Sequence, residues 1–107
     1  MKFYKHFEFL NGSNPYITLT AGAFLRMICN YDITILDNDF MYVDGHKKPA
    51  KTYKEKKEAL RDFAIYYQSW AAGACQSWAE VATWEGFFQY AGRRFGLLSE
   101  FKENCIC

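Results

Sequence analysis

Ser77-Trp78-Ala79-Glu80-Val81-Ala82-Thr83-Trp84-Glu85-Gly86-Phe87-Phe88-Gln89-Tyr90-Ala91-Gly92-Arg93-Arg94-Phe95-Gly96 opens on a capping-box pattern and closes on a glycine. Those two signals bracket a helix: a serine hydroxyl can take the orphan amide three residues on, and glycine tolerates the left-handed stop. Trp78, Val81, Ala82, Phe88, Ala91 and Phe95 can face a core from one side of that helix. Trp84, Phe87 and Tyr90 fall on flanking arcs, so the apolar surface is wider than one stripe requires. Two readings follow. A helix apolar nearly all round is usually buried on two sides; alternatively, the flanking rings anchor a protein partner or a homodimer seam.

Upstream, Thr52-Tyr53-Lys54-Glu55 is a second capping box and predicts a long helix. Its buried stripe is Leu60, Phe63, Ala64, Tyr67 and Ala71, with Lys54, Glu58, Arg61 and Asp62 toward water, and Gly73 ends or interrupts it. At the start of the chain, Phe3, Phe7 and Phe9 alternate with Tyr4, His6 and Glu8, which predicts a strand over Lys2–Leu10. Asn11-Gly12-Ser13-Asn14-Pro15 stops it. Thr18 or Thr20 can then cap a helix reaching about Asn30, with Ala21, Phe24, Leu25 and Ile28 on one face. Asp32–Leu36 and Phe40–Val43 read as a hairpin turning at Asp37-Asn38-Asp39, and Asp44-Gly45 closes it. Residues 97–107 are expected to be a tail with a short helical turn from Ser99. The order β-α-β-β-α-α predicts an α+β fold in which a small antiparallel three-stranded sheet packs against helices.

All 107 residues fit one domain. Half are apolar and 23% are charged, which excludes a disordered chain. The 10 Phe, 8 Tyr and 3 Trp could over-fill a core of this size, so some rings are expected on the surface. A net charge of +1 excludes a polyacidic DNA mimic. Met1–His6 opens no signal peptide and no run approaches a membrane span of roughly 18 apolar residues, so the expected compartment is the cytoplasm. Cys29, Cys75, Cys105 and Cys107 are then expected to be reduced.

His46–Arg61 concentrates charge. It holds Lys47, Lys48, Lys51, Lys54, Lys56, Lys57 and Arg61, offset only by Glu55 and Glu58. A lysine-rich loop entering a helix can grip phosphates or an acidic partner; a solvated helix face with Glu55, Glu58 and Arg61 pairing along it is the competing reading. Arg93-Arg94 can complement the dipole at the end of the last long helix. Cys105-Ile106-Cys107 lacks the spacing of a structural zinc pair, so no metal and no cofactor are expected. Cys75 lies just before the Ser77 cap, where a helix dipole could lower its pKa, but His6 and His46 are remote in sequence, so Cys29 and Cys75 are expected to be buried small apolar residues rather than nucleophiles. No Gly-rich phosphate loop, Gly-x-Ser-x-Gly or His-Glu-x-x-His is present, so the expectation is a protein that is not an enzyme.

Two segments carry a resemblance: Phe7-Glu8-Phe9-Leu10-Asn11-Gly12-Ser13-Asn14-Pro15-Tyr16, and Arg94-Phe95-Gly96-Leu97-Leu98-Ser99-Glu100-Phe101-Lys102-Glu103-Asn104. They resemble small proteins of Firmicutes phages and related mobile elements. The size, the aromatic surplus and the lack of catalytic motifs also resemble anti-CRISPR proteins, although the near-neutral charge departs from their acidic DNA-mimic members. The resemblance implies a non-enzymatic protein-binding module that occludes a CRISPR effector or another host nuclease. Its contact residues are expected to be Trp84, Phe87 and Tyr90, with Lys47, Lys48, Lys51, Lys54 and Lys57 adding polar recognition. The alternatives are a small nucleic-acid-binding protein using residues 46–61, and a structural homo-oligomer.

Overall fold

A computed structural model describes residues 2–9, 16–37, 40–44, 48–74, 76–104 and 106. Their order is β1 (Lys2–Phe9), β2 (Tyr16–Thr20), α1 (Ala21–Asn30), β3 (Asp32–Asp37), β4 (Phe40–Asp44), α2 (Tyr53–Ala72), α3 (Trp78–Phe95) and α4 (Leu98–Glu103). The fold is α+β. Among the described residues, however, the sheet has four strands in the order β2-β1-β4-β3. β1 pairs antiparallel with β2 and β3 with β4, while β1 and β4 run parallel. The expected three-stranded antiparallel sheet is therefore corrected on two points.

The missed strand is Tyr16-Ile17-Thr18-Leu19-Thr20, five residues of high strand propensity. Its last residue, Thr20, is also the N-cap of α1, accepting from the Ala23 amide at 3.1 Å. Strand and cap share one residue, so a reading that assigns the segment to the helix approach loses the strand. A parallel pair cannot be closed by a tight turn and needs a crossover. α1 takes part in it, leading from β2 at one edge of the sheet to β3 at the other. The expected turns over 11–15 and 38–39, and Leu10, lie outside the described residues.

The core is one cluster. Ile33, Ile35, Met41 and Val43 of the β3–β4 hairpin meet Phe24 and Ile28 of α1, Leu60, Phe63 and Tyr67 of α2, and Trp84, Phe87, Phe88 and Phe95 of α3. Phe24 sits at its centre, edge-on to Phe63 (5.7 Å between ring centroids), Trp84 (5.9 Å) and Phe87 (5.0 Å). Trp84 packs in turn on Tyr67 at 4.7 Å. Such edge-to-face pairs add roughly 0.5–1.5 kcal/mol each beyond the area they bury. Much of the aromatic surplus is thus inside.

α3 follows the reading in which a helix apolar nearly all round is buried on two sides, and of its expected core positions Trp78 and Ala82, near its start, are corrected. Trp84 and Phe87 are 0% exposed, whereas Trp78 is 89% exposed and Ala82 faces water. The physical reason is that α1 and α2 together cover the arc carrying Trp84, Phe87, Phe88, Ala91 and Phe95, leaving the first turn of α3 uncovered. Ser77 caps the helix as expected, accepting the Glu80 amide at 3.2 Å. The Glu80 carboxylate, however, accepts from the Ser77 hydroxyl at 3.2 Å.

The expected tail is part of the core as well. Leu97, Phe101 and Ile106 are buried, and α4 begins at Leu98. Arg61 of α2 donates to Glu100 of α4 at 2.9 Å, and Gln68 donates to the Asn104 carbonyl at 2.6 Å. Arg61 was expected to pair along its own helix; the chain returning over α2 supplies a different carboxylate.

A candidate anion-binding cleft

Three helices and one extended segment enclose a cleft of about 440 Å³. Gly22, Arg26, Cys29 and Asn30 of α1 form one wall, and Tyr90, Arg94 and Phe95 of α3 form another. Ala50, Lys51 and Lys56 complete it.

Local sequence explains each placement. α1 spends Ala21, Phe24, Leu25 and Ile28 on the core, which turns Arg26 outward. The Ala50 amide donates to the Cys29 carbonyl at 2.8 Å, pinning the segment before α2 to the end of α1 and bringing Lys51 to the cleft. The Thr52 hydroxyl then accepts from the Glu55 amide at 3.1 Å, and Glu55 accepts from the Thr52 amide at 3.2 Å. This capping box starts α2 at Tyr53 and sets Lys56 one turn in. The hydrogen bond from the Thr52 amide holds the Glu55 carboxyl below the usual carboxylate range. α3 ends at Gly96, whose φ of 69° is left-handed, so Tyr90 and Arg94 stand on its final turns.

Gly22 permits a close approach. A Cβ there would lie 3.3 Å from the Tyr90 hydroxyl, so the tyrosine reaches from α3 across to the start of α1. Tyr90 remains 37% exposed.

The electrostatics are one-sided. Among the described residues, Arg26, Lys51, Lys56 and Arg94 line the cleft and no Asp or Glu does. A second cleft, of about 340 Å³, has the reverse character: among the described residues Asp32 and Asp62 line it with Tyr31 and Tyr66, without Lys or Arg. The two clefts therefore differ in the sign of their charge, although the whole chain carries only +1. Four like charges around one recess repel one another, and an entering anion relieves that repulsion.

Of the expected contact residues, Lys51 and Tyr90 line this cleft. Lys48 and Lys54 are exposed and stand away from its lining. Lys57 is half-buried, near Gly96, and faces the carbonyl end of α3. Lys47 and His46 lie outside the described residues. Trp84 and Phe87 are corrected: with both rings fully enclosed by α1 and α2, they offer no surface to a partner.

Sequence reading missed Arg26, Lys56 and Arg94 as members of one group. In the sequence Arg26 is a single charge within the apolar stretch Ala21–Cys29, and Arg94 is half of the Arg93-Arg94 pair. Nothing in the linear order joins them; the packing of α1 against α3 does.

Cys29 is buried beneath the cleft. Cys75, Cys105 and Cys107 lie outside the described residues. Among the described residues no group of three or more His, Cys, Asp and Glu could hold a metal, and no helix is long and apolar enough to cross a membrane. No protein-family model matches the chain, and no curated protein or solved structure is detectably similar to it.

Proposed function

We propose that this protein is a non-enzymatic binding module that holds nucleic acid by its phosphates in the cleft between α1, α2 and α3. One observation carries the reading: Arg26, Lys51, Lys56 and Arg94 converge on one recess that no Asp or Glu among the described residues lines. Arginine and lysine neutralising phosphates release condensed counterions, and that release drives sequence-tolerant binding. The test is a titration of labelled oligonucleotides between about 50 and 200 mM salt, the range over which such binding falls steeply. Affinity should decrease linearly on a log–log plot, and Arg26→Gln with Arg94→Gln should flatten the slope by about one unit per lost contact. Absent or salt-insensitive binding would remove the reading.

A second reading keeps the protein-binding module of phage or mobile-element origin that occludes a nuclease complex. Trp78 favours it: the ring is 89% exposed at the head of α3, and exposed tryptophan is a common interface anchor. Here Trp78 takes the place first expected for Trp84 and Phe87. Pull-down from nuclease-treated host lysate, with wild-type and Trp78→Ala protein, separates the readings. A partner lost with Trp78 supports the second, and nucleic acid recovered alone supports the first.

A further inference from the structure

Resting on the nucleic-acid reading, we infer that the cleft takes a single strand, with one nucleotide entering the recess, its base against Tyr90 and its phosphates on the surrounding cations. Three observations lead there. The site is concave, and about 440 Å³ lies within the range of small-ligand pockets, roughly 300–1,000 Å³. A duplex keeps its bases stacked inside and offers a convex backbone, which can lie across the mouth of such a recess but cannot fill it. A single strand can turn a nucleotide inward. Second, the recess is mixed rather than purely cationic: Leu25, Ala50, Tyr90 and Phe95 line it beside the four charged side chains. An apolar ring wall next to phosphate-binding groups is the combination that suits a base and its own phosphate. Third, Tyr90 spans the cleft. Its hydroxyl comes close to Gly22 on α1 while the residue stays partly exposed, so its ring is available at the cleft between α3 and α1.

The experiment compares one oligonucleotide as a free strand and as a blunt duplex, with adenosine monophosphate as a third probe, by fluorescence anisotropy at fixed salt. The expected order is single strand over duplex, with the mononucleotide weakest because it lacks flanking phosphates. Tyr90→Leu should weaken the single strand on the order of 5- to 150-fold, the range of one lost base stack. Tyr90→Phe should retain the affinity, since the ring face is kept. Melting curves on both variants confirm that each is folded. Equal binding of strand and duplex, or a Tyr90→Leu variant that binds like wild type, would overturn the inference and leave the phosphate-binding reading standing. Mononucleotide binding as tight as the strand would make the ligand a free nucleotide and overturn it too. Failure of all three probes would sink both readings.

Discussion

The phenol oxygen of Tyr66, on α2, accepts the backbone amide of Ile35, on β3, at 2.8 Å. β3 is an edge strand, and an edge presents unpaired amides that invite pairing with another chain. Tyr66 occupies one of those amides and fixes α2 over the sheet edge in the same contact.

Tyr66→Phe should therefore lower stability by about 0.5–1.5 kcal/mol, the net worth of one hydrogen bond. The Ile35 amide should also exchange faster with solvent than its neighbours. Urea unfolding with amide exchange measured by NMR checks both, and an unchanged Ile35 amide would refute the role given to Tyr66.

Trp84→Ala should cost about 3–5 kcal/mol, because it removes a fully buried ring packed on Phe24, Tyr67 and Phe88. Trp78→Ala should change stability by less than about 0.5 kcal/mol, as exposed positions away from special features do. Thermal melts of the pair read the orientation of α3 directly; the reverse order of effects would mean that α3 is turned the other way.

Gly92→Ala tests the α3–α4 junction. A Cβ there would lie 3.1 Å from the Phe101 ring and 3.2 Å from both the Leu98 amide nitrogen and its Cα. Two of those neighbours are backbone and cannot swing aside. Alanine gains about 1 kcal/mol of helix propensity over glycine, but overpacking of this kind costs about 1–3 kcal/mol. The expected net effect is destabilisation. A stabilised variant in denaturant titration would show that α4 can move off α3.

The Thr52–Glu55 box predicts a pH dependence. Glu55 has its folded pKa lowered by the amide it accepts, so its contribution is present above about 4.5 and is lost as pH falls through the lowered value. Glu55→Gln keeps an acceptor but does not titrate. The melting-temperature gap between wild type and Glu55→Gln should be constant near neutrality and shrink below about pH 4.5. Thr52→Ala should cost about 1 kcal/mol, as loss of an N-cap does. A gap that is flat down to pH 3 would contradict the assigned hydrogen bond.

What the sequence determined by itself was local. Thr52 and Ser77 cap helices where their spacing said they would, and Thr20 is one of the two caps open for α1, because an N-cap joins groups only three residues apart. The buried stripe Leu60, Phe63, Ala64 and Tyr67 was equally legible, since α2 has one apolar face. What the tertiary structure decided was which of several allowed surfaces is used. α3 has two apolar arcs, and only contact with α1 and α2 decides that both are buried from Trp84 onward while Trp78 stays exposed. The pairing of β1 with β4, and the late strand before Thr20, depend on partners far along the chain. The cleft follows the same rule. Arg26, Lys56 and Arg94 belong to three helices whose helical periods say nothing of one another. Periodicity fixes the face a residue occupies on its own element, but charge convergence is a property of how elements pack.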